Sequence, residues 1–348
     1  MRRSIGLGLA VLATSLLACF ACKKAAPPPA ASRPGLFVIG IFQSVDSPTA
    51  NEVRKGILKA FEEAGLRDGE NVLVRIRIAN RDLSEVQRIA RDYVADRVDL
   101  IMPLSTQCLQ AVLISGPSMP IVFGAVATPF LVGAGRSPDD HLPRVTGVVS
   151  TGPVRQSVAF IRLAFPRARR LGSLWTPSEV NSEYYMELAR EAAAEYGFEM
   201  TAVPVSDARA IPQAAQVLVN RKVDVLFPIS DNTINASFEV ISRVAEESRV
   251  PLVGGFLRAA DLGACAAVGF DFYDLGYRTG RLAVRVKNGE SPARIPIQSM
   301  TDVKVRLNPD AAARQGLVFA KDLLGRAEKM LNASPPGVGR AAAGLGPK

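Results

Sequence analysis

From residue 36 to about residue 272, short apolar runs alternate with longer stretches in which apolar positions recur every three or four residues. Residues 36–42 and 98–103 are apolar at nearly every position, as strands buried on both faces are, whereas 72–78 alternates between aliphatic and polar side chains. Residues 48–64, 83–95 and 106–114 carry the helical period, and 121–126 reads as another strand. Short strands alternating with helices of this length predict an α/β protein with parallel sheets built from βαβ units.

The pattern then repeats. Val98-Asp99-Leu100-Ile101-Met102-Pro103-Leu104-Ser105 matches Val223-Asp224-Val225-Leu226-Phe227-Pro228-Ile229-Ser230 at an offset of 125 residues. Pro120–Gly124 is echoed by Pro251–Gly255 at an offset of 131, and the opening strand has its counterpart at 171–175. Three matches in the same order predict two Rossmann-like lobes of similar topology, joined by a hinge near 146–152. Residues 274–287 read as a helix, 299–307 as a strand and 308–316 as a short helix. Returning that helix to the first lobe and the strand to the second gives three crossovers. The expected division is 36–147 with 272–296 for lobe 1 and 148–271 with 297–320 for lobe 2, followed by a flexible tail over 321–348.

The N-terminus changes the picture of where the chain works. Arg2 and Arg3 precede an apolar run, 5–17, that is too short for a spanning helix and reads, over residues 1–18, as an export signal. It ends in Leu16-Leu17-Ala18-Cys19, which resembles the lipobox of bacterial lipoproteins; Cys19 is the expected acylated residue and Cys22 the alternative. Residues 19–35 then form a Pro/Ala-rich tether. The expected location is the periplasmic or extracellular face of a bacterial membrane. The formal charge of +9 falls to +7 without the signal, and its arginines are scattered without interleaved aromatics, so no nucleic-acid partner is expected. Cys108 and Cys265 sit in apolar surroundings and are expected as two buried thiols.

In parallel α/β sheets a ligand lies beyond the carboxyl ends of the strands, where helix N-termini present free N–H groups. The chain just beyond each expected strand is polar: Gln43 and Ser44; Thr106 and Gln107; Thr128; Glu179 and Asn181; Asp231 and Asn232; Asp271. Many of these types are also the favoured helix caps, worth about 1 kcal/mol each. Together they describe a cleft whose hydroxyls and helix ends suit a carboxylate, while Asp231, Glu179 or Asp271 would face an amine. Phe42, Phe130, Trp175, Phe256 and Phe272 stand near the same rim and would stack on a flat side chain or serve as packing. Enzymatic chemistry finds little to work with: one histidine, His141, no G-x-S-x-G, no P-loop and no cysteine spacing for a metal. No catalytic residue, cofactor or metal is expected.

Taken in order, Ile39-Gly40-Ile41-Phe42-Gln43, the 98–105 strand, Pro120–Val126, Val145-Thr146-Gly147-Val148, Thr176–Asn181, Pro228–Asn232 and Gly269–Gly276 resemble the ABC-transporter substrate-binding family that includes tryptophan/tyrosine-binding lipoproteins. The resemblance covers about 36–318. It implies the type I periplasmic-binding-protein fold and a monomer that closes on a small solute and delivers it to a permease with its ATPase. It also implies that the ten polar residues above line the cleft. One departure bears on amine recognition: the family often reads Val-Thr-Asp-Pro where this chain has Val126-Ala127-Thr128-Pro129. A ligand sensor feeding a membrane signalling partner is the alternative use of the same body.

Overall fold

A computed structural model of the protein describes residues 35–333. The expected signal, Cys19, Cys22 and nearly all of the expected tether lie outside these residues, as does the end of the expected tail. No helix among the described residues is long and apolar enough to cross a membrane.

Lobe 1 begins with β1 (Phe37–Gln43), α1 (Pro48–Glu63), β2 (Val72–Ile78), α2 (Leu83–Ala95), β3 (Leu100–Leu104), α3 (Thr106–Ile114), β4 (Ile121–Val126) and β5 (Val145–Val149). The chain then crosses to lobe 2 for α4 (Val154–Ala164), β6 (Arg170–Trp175), α5 (Val180–Glu195), β7 (Glu199–Pro204), α6 (Ile211–Asn220), β8 (Val225–Leu226), α7 (Asn232–Asn235), α8 (Phe238–Ser248), β9 (Val253–Gly254) and β10 (Ala266–Gly269). It returns for α9 (Phe272–Lys287) and β11 (Gln298–Ser299), and crosses a third time to β12 (Lys304–Leu307), α10 (Pro309–Arg314) and α11 (Leu323–Ala333).

The lobe 1 sheet is entirely parallel, in the order β11-β5-β4-β3-β1-β2. Alternate side chains divide between its faces: Phe42, Ile101 and Phe123 pack with α2 and α3, whereas Ile41, Leu100 and Met102 pack with α1 and α9. Lobe 2 carries β7-β6-β8 and β9-β10-β12, the last strand antiparallel. The Leu226–Leu252 bridge, with the Leu226 N–H donating to Pro251 O at 2.8 Å, joins the two halves.

The internal duplication extends to its corners. Arg97 and Lys222, 125 residues apart, both adopt left-handed φ (50° and 55°) just past α2 and α6. In each copy the next residue makes a 6→1 bond, Val98 N–H to Tyr93 O and Val223 N–H to Leu218 O, closing the helix in a Schellman-type turn. The aspartates two positions on do the same job: Asp99 accepts from Val38 N–H, and Asp224 from the Arg169 and Arg170 N–H groups.

The lobe boundaries differ from those expected. Val148 and Val149 pair with Gln298 and Ser299 in the lobe 1 sheet, so lobe 1 runs to the end of β5 and includes β11. The expected strand over 299–307 is two strands, one in each lobe, because the third crossover interrupts it. Residues 323–333, expected as part of a flexible tail, form α11, anchored in the lobe 2 core by the buried Leu323 and Ala327.

Helix α9 is held to lobe 1 by a backbone-to-backbone crossing with α1. A Cβ placed on Gly56 would lie 2.1 Å from the Tyr273 carbonyl oxygen, and one on Gly276 would lie 2.0 Å from that of Val53. Any side chain there must push the helices apart. Gly276→Ala is therefore expected to lower stability by about 1–3 kcal/mol, read as a fall in the urea midpoint at unchanged slope.

Candidate functional site

The carboxyl ends of the strands of both lobes face a shared, partly open cleft with a cavity of about 60 Å³. Lobe 1 contributes the first turn of α1 through Ser47, Thr49 and Ala50, together with Thr106 at the start of α3. Ala125 and Ala127 reach the cleft because β4 is irregular between Phe123 and Val126, and Ala125 takes a left-handed φ of 53°. Lobe 2 contributes Asn181 and Tyr185 from α5, Ser230, Asp231 and Asn232 after β8, and Asn235 from α7. Ser150, Gly152, Phe270 and Phe272 line the crossover side. There the Tyr185 hydroxyl donates to Ser150 O and accepts from Gly152 N–H, both at 2.9 Å, which fixes the first crossover to α5.

Lobe 2 holds two carboxylates that are each 2% exposed, and both are committed to the start of α7. Asp231 is its N-cap, accepting from Ile234 N–H (2.7 Å), and also accepts from Thr176 N–H (3.1 Å) and the Ser182 hydroxyl (2.7 Å). Glu179 accepts from Asn232 N–H and Nδ2 and from Thr233 N–H and Oγ1, at 2.6–3.1 Å. Burial, and then the neighbouring Glu179 charge, raise the Asp231 carboxyl well above the ordinary carboxylate value.

Of the expected residues, Thr106, Asn181, Asp231 and Asn232 line the cavity. The others do not. Gln43 is fully buried, taking Arg54 Nη1 at 2.7 Å and donating to Val45 O. Ser44 reaches across to Asn232 Oδ1 at 3.3 Å. Gln107 is half-buried and Thr128 buried, neither on the cavity wall; Asp271 caps α9, accepting from Tyr273 and Asp274 N–H. Glu179 stands behind Asn232 rather than on the wall. Of the five aromatics expected at the rim, Phe272 alone lines the cavity; Phe42 and Phe256 are core, Phe130 packs against the lobe 1 core, and Trp175 packs beneath Arg190. Sequence reasoning missed Thr49, Tyr185 and Asn235. Two were within reach of a spacing argument: Tyr185 is four residues after Asn181 and Asn235 four after Asp231, the helical interval that returns to the same face. Cys108 and Cys265 are free and buried in different lobes, and burial pushes both thiols up to about 12.

Three residues on the cavity wall carry a buried polar atom without a protein partner: Thr49 Oγ1, Asn181 Oδ1 and Asn235 Oδ1. The lobes touch over the cleft through Ser44–Asn232, Arg81 Nη2 to Ala236 O (3.3 Å) and the Arg258–Glu52 ion pair (3.3 Å). The raised Asp231 carboxyl has a definite sign. Its folded pKa lies above the unfolded one, so its contribution to stability is present in acid and is lost as pH rises above the ordinary carboxylate range. Asp231→Asn removes that titration. The stability of the native chain relative to this variant is expected to fall between about pH 5 and pH 8 in urea melts; a flat difference would place Asp231 at its ordinary value.

Residues 38–331 match the family model for ABC transporter substrate binding proteins. A tyrosine-binding protein of Clostridioides difficile is 31% identical over 78% of this chain and 79% of its own length. The structure of an ABC domain in complex with L-Trp from Streptococcus pneumonia superposes with a TM-score of 0.79 at 26% identity, covering 83% of this chain and 98% of that one. The ligand-free, open structure of a Clostridium difficile substrate binding protein with adhesive properties gives only 0.64 at 29% identity, over 82% and 97%. With the fold, the interlobe cleft and a family match over nearly the whole described chain in agreement, the protein belongs to the ABC transporter substrate binding proteins.

Proposed function

We propose that this protein captures an amino acid with an apolar, aromatic side chain, is tethered outside the cytoplasm by a lipid on Cys19 or Cys22, and delivers its ligand to an importing permease with its ATPase. It acts as a monomer and performs no covalent chemistry. The observation that carries the ligand reading is the amphipathic cleft. Its polar cavity, lined by Thr49, Thr106, Asn181, Asp231 and Asn235, shares Gly152, Tyr185, Ser230 and Gly255 with an apolar recess. Pro153, Val154, Ser157, Phe227 and Ile229 complete that recess. The polar lining suits a head group that hydrogen-bonds at several points, and the recess beside it supplies an apolar wall; at about 10 Å³ that recess admits an aromatic ring only when its walls part. The tyrosine-binding relative and the L-Trp complex support the same class.

Capture works by population shift. A ligand that touches both lobes binds the closed arrangement better than the open one and moves the equilibrium by that difference in affinity. The Arg258–Glu52 pair and the Ser44–Asn232 bond form only when the lobes meet, so they add to closure; the first does so with neither partner on the cavity wall.

A thermal-shift panel of the twenty amino acids, simple sugars and nucleosides on the purified protein tests the ligand class. At a thousandfold excess over Kd, binding stabilises the native state by about 4 kcal/mol. L-tyrosine or L-tryptophan is expected to give the largest rise in Tm. A panel that responds only to sugars or nucleosides, or to nothing, would overturn the amino-acid reading.

A further inference from the structure

The cavity wall is chemically lopsided. It carries no lysine, arginine or histidine, and its one carboxyl side chain, Asp231, is already engaged by three donors. The wall's unpartnered buried atoms differ by lobe. On lobe 2 they are Asn181 Oδ1 and Asn235 Oδ1, on residues 5% and 8% exposed; on lobe 1 the atom is the Thr49 hydroxyl, on a residue 8% exposed. An amide oxygen only accepts, whereas a threonine hydroxyl can donate. The orientation of the Asn181 amide is fixed by its neighbour. Its nitrogen donates to Glu179 Oε2 at 3.4 Å, and turning the amide would set oxygen against carboxylate. The Asn235 nitrogen donates to the Ser230 hydroxyl at 3.0 Å, a partner that can also donate, so the Asn181 amide is the one whose direction its neighbour dictates. Lobe 2 therefore offers acceptors backed by two buried carboxyl groups.

Lobe 1 offers the reverse. Thr49 stands in the first turn of the 16-residue helix α1, and Thr106 is the first residue of α3. The Ser47 hydroxyl takes Ala50 N–H and the Ser105 hydroxyl takes Cys108 N–H. The other first-turn amides have no acceptor within their own helices, and both positive dipole ends point at the cleft.

We propose that the two lobes divide the ligand's head group by charge: the amino group is held by lobe 2, on the side-chain carbonyls of Asn181 and Asn235, and the carboxylate by lobe 1, on the Thr49 hydroxyl and the first turns of α1 and α3. This assignment rests on the amino-acid reading above and adds polarity to it. Each lobe alone then meets half of a zwitterion, and only a molecule with both charges closes the cleft fully. Asn181, Asn235 and Thr49 are thus the residues that discriminate an amino acid from its amine and from its acid.

The test is calorimetry, with competition for weak ligands, on L-tyrosine and L-tryptophan, the amines tyramine and tryptamine that lack the carboxylate, and the corresponding arylpropionates that lack the amine. Loss of a hydrogen bond to a charged group weakens binding by about tenfold or more. Asn181→Ala and Asn235→Ala should cost the amino acid and the amine that much and leave the arylpropionate within about twofold. Thr49→Val should do the opposite, costing the amino acid and the arylpropionate and sparing the amine. For the amino acids themselves, Asn235→Asp should keep or raise affinity, since it sets a negative charge beside an ammonium; a loss larger than that of Asn235→Ala would put the carboxylate there and overturn the assignment. An arylpropionate penalised by the asparagine variants as much as the amine would overturn it too. If the native protein binds neither amino acid, the amino-acid reading itself falls, an outcome distinct from tight binding without the expected pattern.

Discussion

Two carboxyl groups, Glu179 and Asp231, sit almost wholly out of solvent inside lobe 2, and the way they are accommodated sets the shape of the cleft. A buried carboxylate is tolerated only when donors surround it. Here the donors are gathered from three segments: the Thr176 amide after β6, the Ser182 hydroxyl on α5, and the amides and side chains that open α7. Satisfying them pins the end of β6, the start of α5 and the one-turn helix α7 to one another. Asn181 and Asn235 leave that node with their nitrogens occupied and their oxygens free. The acceptor wall is therefore a by-product of solving an internal electrostatic problem.

Lobe 1 has no such node. Its contribution comes from backbone: strand ends, helix starts capped by Ser47 and Ser105, and a β4 irregularity that brings Ala125 and Ala127 to the surface of the cleft. One half of the site is thus made by rigid side-chain networks and the other by helix polarity, and closure brings them together. Contacts such as Ser44–Asn232 sit beside the cavity and join the two systems directly.

Much of this was legible in the chain. The strand–helix alternation and the 125-residue repeat pointed to two lobes, and the repeat proved deep enough to include matched left-handed residues at Arg97 and Lys222. Thr106, Asn181, Asp231 and Asn232 were reachable because each comes just after a strand end. The same rule over-reached at Gln43, Glu179 and Asp271, since polar residues at strand ends serve internal bonds and helix caps as readily as ligands. It fell short at Asn235, a turn further into its helix, and at Thr49, which stands as far beyond β1 as Asn181 does beyond β6; whether such a residue faces a cleft depends on helix rotation, which tertiary packing decides. The boundary at 298–307 failed for a similar reason: a crossover between two strand fragments leaves no mark in an apolar pattern that suits either lobe.

Three strands of chain pass between the lobes, after β5, after β10 and between β11 and β12. A single connection would leave the halves free to swivel, and a pair would still let them shear. Three side by side leave one easy motion, a swing about the line they share, like a door on several hinges. Small rotations of backbone at Gly152 or Phe270 are then magnified with distance from that line, so Arg81 and Ala236, beyond the β2 edge of the lobe 1 sheet, travel further than Arg258 and Glu52 beside the second crossover. The deep end of the cleft works at short leverage and the rim at long leverage, which turns a few ångströms of adjustment around a bound head group into the difference between a shut and a gaping face.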